Sequence, residues 1–189
     1  MTITAPHATQ HTMTRLDIPT GMGFDEFRRR FEEAAPAFDT AATLRITETG
    51  GTWDDVRAAI DAQAPYGLLV FAVIDGTSLM APAGHHTKAV EYLLGNHLIA
   101  EKMFRHSPLA MLYAPLRILV HSDASGMAVF ALDQPSTVFA GIGIPQVSEV
   151  GVELDRKVAG LLRGIGVEPP RALTDSTAPQ GGTRRGHPG

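Results

Sequence analysis

Apolar residues along the chain switch between two periods, and the switches outline the elements. Met13, Leu16 and Ile18 give a short strand signal that Pro19 ends, with Gly21 and Gly23 as the turn beyond. Phe24, Phe27 and Phe31 then recur at spacings of three and four, which puts them on one face of a helix that must stop before Pro36. Leu44 and Ile46 alternate as an edge strand. Thr52 reads as a helix N-cap, followed by Asp54 and Asp55 in a first turn that favours negative charge and by Trp53, Val56 and Ile60 on one face. The continuous apolar run Tyr66 to Ile74, closed by Asp75-Gly76, reads as the central strand.

Further on, Ala89 to Leu94 pairs as a strand, Gly95-Asn96 interrupts it, and Leu98 to His106 forms a short helix. Leu116 to His121 and Met127 to Leu132 are strand-like runs joined by Ser122-Asp123-Ala124-Ser125-Gly126, which has the length and composition of a hairpin loop. From Val147 to Ile165 the apolar stripe is helical and amphipathic, so this last helix packs on the sheet. Residues 1–12 lack periodicity, and residues 168–189 hold four Pro and four Gly among few apolar side chains. Both are expected to be disordered tails around a single domain over 13–167.

Composition narrows the classes of function. With 189 residues, 44% of them hydrophobic and 19% charged, the chain has the make-up of one globular domain. Sixteen basic against twenty acidic side chains leave a net charge of −4, which gives no electrostatic reason to bind nucleic acid or an acidic membrane. No apolar run reaches the roughly 18 to 20 residues of a membrane span, and the start of the chain lacks a signal peptide's basic and apolar segments. The absence of cysteine excludes disulfides and thiolate chemistry and agrees with a reducing cytoplasm, the expected location.

Several segments together resemble the bacterial family called domain of unknown function 302. They are LLVFAVID at Leu68 to Asp75, EYLLGNHLIAEKM at Glu91 to Met103, LYAPLRILVHSD at Leu112 to Asp123 and LDQPST at Leu132 to Thr137, followed by the closing amphipathic helix. The resemblance implies a two-layer α+β fold, an antiparallel sheet with helices packed on one face, and assembly as a homodimer. The concentration of Leu, Met and Tyr from Leu109 to Leu116 points the same way. Two departures stand out: Asp75-Gly76, where relatives often have Asp-His, and Leu132-Asp133-Gln134, where they often have Tyr-Asp before Pro-Ser.

Candidate chemistry centres on Gly95-Asn96-His97. Asn96 can cap the helix, and His97 at the helix start feels the positive end of its dipole, which favours the neutral base. As catalytic residues, His97 would move a proton while Asn96 or Arg117 stabilises developing negative charge. The alternative is a turn and an exposed first-turn residue. Met103, Phe104, Met111 and Tyr113 can line a pocket for an apolar small molecule, although such a set more often forms core or a dimer seam. Five of the eight histidines lie between His85 and His121, but no metal-ligand spacing occurs, and no metal site is assigned. A lone axial histidine leaves no signature, so haem stays open and the cofactor is unassigned. Asp123 and Asp133 read as turn residues.

The expected function is therefore small-metabolite binding. With it goes a cofactor-independent rearrangement, cyclisation or elimination of an apolar substrate; the alternatives are a non-catalytic ligand-binding or sensing module, or a haem- or metal-binding protein that uses a histidine.

Overall fold

The hairpin that the sequence outlines is the centre of the sheet. In the computed structural model, which describes residues 5–177, strands β4 (Leu116–Ser122) and β5 (Met127–Asp133) pair antiparallel, with Val120 opposite Phe130. Asp123 closes the turn by accepting hydrogen bonds from the Ser125 and Met127 amides at 2.8 and 2.9 Å. β1 (Arg15–Gly23) lies against β5, while β3 (Ala89–Gly95) and then β2 (Leu69–Asp75) extend the other side. The order is β1-β5-β4-β3-β2, and every neighbouring pair is antiparallel.

Alternation decides the faces. Val90, Tyr92 and Leu94 of β3, Ile118 and Val120 of β4, and Phe130 and Leu132 of β5 are buried on one face. Against it pack α1 (Phe24–Ala34), through Phe27 and Phe31, and α7 (Pro145–Gly164), through Leu154, Val158 and Leu161. Arg117 and Leu119 stand on the opposite, uncovered face. This is the expected α+β fold.

Two short helices, α2 (Thr40–Glu48) and α3 (Trp53–Gln63), build a smaller cluster in which Val56, Ile60 and Ala64 enclose Leu69 at the start of β2. Thr52 caps α3 in a reciprocal capping box with Asp55. The edge strand expected around Leu44 and Ile46 is the helix α2 instead. Asp39 caps it by accepting the Ala42 amide at 2.8 Å, Leu44 faces solvent, and Ile46 packs on the cluster.

Three other expectations are corrected. β2 is an edge strand, not the central one. Its start is apolar on both faces because it lies between the main core and the small cluster, and the Pro36–Phe38 segment covers its edge through Val70 N–H to Pro36 O at 2.9 Å. Beyond that point Val73 and Ile74 are exposed, and the short helix α4 (Gly76–Met80) follows. β1 runs past Pro19, an edge position that tolerates a missing donor, and Thr20 restores a tie where the register shifts by donating its hydroxyl to Ala128 O at 2.8 Å. Residues 168–177 are not a tail: α8 (Arg171–Thr174) docks through fully buried Leu173. The rest of the expected C-terminal tail, 178–189, and residues 1–4 lie outside the described residues.

A further helix, α6 (Pro135–Ala140), follows β5 and leans on α7. The approach is close because position 151 is glycine: a Cβ there would stand 3.0 Å from Ser136 Cα and 3.1 Å from Phe139 Cβ. Asp155 of α7 is fully buried beneath this contact. Its carboxylate accepts the Ser136 amide at 2.9 Å and the Gln134 side-chain amide at 3.1 Å, and Gln134 also donates to Ala172 O at 2.8 Å. Gln134, one of the two departures from the family pattern, thus joins α7 to α8.

Candidate functional site

Where β3 ends, the chain turns into α5 (His97–Phe104), and the space between these elements and the return to β4 is not filled. A cavity of about 220 Å³ remains there. Its walls come from Phe71 of β2, Leu94 and Gly95 of β3, and Ile99, Ala100 and Met103 of α5. Met111 and Ala114 to Leu116 lead into β4, and Phe139 of α6 and Leu154 of α7 close the far side. Met103 is buried, whereas His97 and Met111 are exposed and mark the mouth. Of the lining residues only Asn96 and His97 have polar side chains.

Asn96 is occupied by structural bonds. Its Oδ1 accepts the Leu98 amide at 2.8 Å, the expected N-cap, and its Nδ2 donates to Gly67 O at 3.0 Å. At 7% exposure it has little freedom to turn elsewhere. His97 is different. Its ring lies 4.7 Å from the Phe38 ring and 4.9 Å from the Phe71 ring, centroid to centroid. Among the described residues neither of its nitrogens has a hydrogen-bond partner. The flanking rings replace water around the imidazole and lower its pKa from the ordinary histidine value of 6.5, so the neutral form is favoured.

Asn96, His97, Met103 and Met111 therefore meet around one cavity. The other candidates lie elsewhere. Arg117 projects to the uncovered face of β4, opposite to Leu116, where its Nε donates to Glu91 at 2.8 Å. Phe104 is 54% exposed and lines no wall of the cavity. Tyr113 packs edge-on against Phe139 at 6.2 Å and faces His11, with its hydroxyl 3.4 Å from His11 Nε2. The trio His97, Asn96 and Arg117 does not assemble as a catalytic centre, because one member is tied to backbone and another stands on the far face of the sheet.

Sequence reading missed Phe38, which follows Pro36 in a connecting segment without periodicity, and Phe139, which lies in the unpredicted α6. Leu154 was legible as part of the α7 stripe, but not as a cavity wall. Among the described residues, no cluster of three or more His, Asp or Glu could hold a metal ion, and no helix is long and apolar enough to cross a membrane. The cavity is also a poor match to haem. Apolar cavities of roughly 150 Å³ admit benzene, and a space of about 220 Å³ is nearer that size than a tetrapyrrole's.

Comparison with known proteins agrees with this architecture. The structure is similar to the crystal structure of an uncharacterized conserved protein DUF302 from Bacillus stearothermophilus, with a TM-score of 0.55 and 15% sequence identity over 81% of this chain and 97% of that one. At that identity the likeness is one of fold. No curated protein matches the chain. The profile of the family described as domain of unknown function DUF302 matches residues 42–165, which include α3, β2 to β5 and α5 to α7, so this chain belongs to the DUF302 family.

Proposed function

We propose that the protein binds a compact apolar small molecule in the cavity between β3, α5 and α7, and that its role there is binding or sensing rather than catalysis. The observation that carries this reading is the make-up of the walls: about 220 Å³ bounded by apolar side chains, with one polar side chain, His97, that has no hydrogen-bond partner among the described residues. Burial of apolar surface is the main driving force such a site offers. Acid–base turnover needs a second group to stabilise charge. Asn96 is spent on Leu98 and Gly67, and Arg117 pairs with Glu91 on the other face, which favours the binding reading over the enzymatic one.

Native mass spectrometry of the purified protein, followed by denaturation, tests this directly. The expected result is a co-purifying small molecule that is released on unfolding and missing from Ala100→Phe, in which the cavity is filled. Retention of the same molecule by that variant would contradict it.

Assembly as a homodimer, as the family resemblance implies, belongs to the same proposal. Exposed Leu109, Met111 and Leu112 beside the cavity supply apolar surface for a second copy. Light scattering at micromolar concentration should then report twice the chain mass, and a stable monomer would refute it.

A further inference from the structure

The cavity has one hydrogen-bonding side chain to offer, and its position restricts what can enter. His97 stands at the mouth, flanked by Phe38 and Phe71 at 4.7 and 4.9 Å, and among the described residues its ring makes no hydrogen bond. Behind it the walls are apolar. An isolated charge drawn into such a space is not compensated, whereas an apolar body is. The guanidinium that could neutralise a carboxylate, Arg117, is on the opposite face of β4 and bonded to Glu91. Inside the cavity a carboxylate or phosphate is therefore disfavoured, and at the mouth it would meet the neutral imidazole, an acceptor, with no guanidinium beside it. An uncharged hydroxyl or heteroaromatic N–H at the mouth could donate to the neutral imidazole without carrying charge inside.

We propose that the site selects uncharged one- or two-ring molecules bearing a single hydrogen-bonding group, which His97 recognises at the mouth while the apolar body fills the space down to Met103 and Leu154. The assignment rests on the binding reading above and specifies the class of ligand. Size agrees: apolar cavities of roughly 150 Å³ take benzene, and this one has about 220 Å³. The preference is a contribution of one hydrogen bond added to a hydrophobic site, so it acts as a modest selectivity filter and not as the source of affinity.

The test is a cycle of two probes and two proteins at pH 7.5. Indole and indene have nearly the same shape and differ in one N–H; His97→Phe keeps an aromatic ring between Phe38 and Phe71 but removes the acceptor. Because indole also loses more hydration on binding, the informative quantity is the ratio of the two dissociation constants, compared between proteins. We expect the ratio to favour indole by roughly three- to tenfold more in the wild type than in His97→Phe. Indole-3-carboxylate should bind at least tenfold more weakly than indole. Equal ratios in the two proteins, with both probes bound, overturn the role of His97 and leave the cavity reading intact. Binding of neither probe to the wild type overturns the cavity reading and this assignment with it. Tight binding of the carboxylate overturns the exclusion of charge.

Discussion

The Asn96 side chain donates from Nδ2 to the carbonyl of Gly67 at 3.0 Å while its Oδ1 caps the Leu98 amide, so a residue placed like a catalytic one fastens the start of α5 to the loop before β2. Asn96→Ala loses both bonds and should destabilise the fold by about 2 kcal/mol, one part for the cap and one for the unsatisfied carbonyl. Asn96→Asp keeps the cap oxygen but not the donor, and about half that loss is expected. Urea unfolding of the two variants checks the difference. Equal stability of wild type and Asn96→Ala would show that neither bond matters.

Asp155 contributes the buried carboxyl group at which α6 and α7 meet, linked to α8 through Gln134. Removing it in Asp155→Ala leaves the buried Ser136 amide without its acceptor and takes one partner from the Gln134 side chain, which keeps Ser136 Oγ and Ala172 O. A cost of about 3 kcal/mol is expected, because two buried hydrogen bonds are lost and a buried donor is left unpaired. The midpoint of denaturant unfolding measures it, and a change under about 1 kcal/mol would mean the network relaxes around the gap.

The docking of α8 makes its own prediction. Leu173 is fully buried in the main core, so Leu173→Ala should cost about 2 to 4 kcal/mol. If residues 168–177 were instead an unattached tail, the same substitution would leave the melting temperature unchanged.

His97 should impose a pH dependence on stability. Its folded pKa lies below the unfolded value, so in the interval between the two the unfolded chain binds more protons. Stability contributed by this site is therefore full above the ordinary histidine value of 6.5 and is lost as pH falls through that value toward the folded pKa. The difference in unfolding free energy between wild type and His97→Phe, followed from pH 8 to pH 5, isolates the effect, with the wild type losing more on acidification. An NMR titration placing the His97 pKa above 6.5 would reverse the sign and contradict the account.

Much of the scaffold was legible because local periodicity and tertiary burial coincide there. The Phe24, Phe27 and Phe31 spacing, the Thr52 cap, the Asp123 hairpin and the α7 stripe all appear where the sequence puts them. The misreadings arise where that coincidence fails. The run before Asp75 is apolar because two clusters enclose its first half, a relation that no strand pattern distinguishes from a central position. Leu173 is one apolar residue between prolines and polar side chains, and only its partners in space reveal a docking helix. Asn96 and His97 were located by the Gly-Asn-His step, but their different roles depend on Gly67, Phe38 and Phe71, all at least 26 residues earlier in the chain.

The central claim is that an apolar molecule occupies the space beside His97, and two of its walls carry their own reporters. Met103 and Met111 line the cavity, whereas Met80 is exposed elsewhere on the short helix after β2. In a protein labelled with 13C at the methionine methyls, titration with indole is predicted to shift the Met103 and Met111 signals saturably and together while Met80 stays unmoved, and to move none of the three in Ala100→Phe. Unchanged Met103 and Met111 signals at saturating indole, or the same shifts in the filled variant, would contradict the claim.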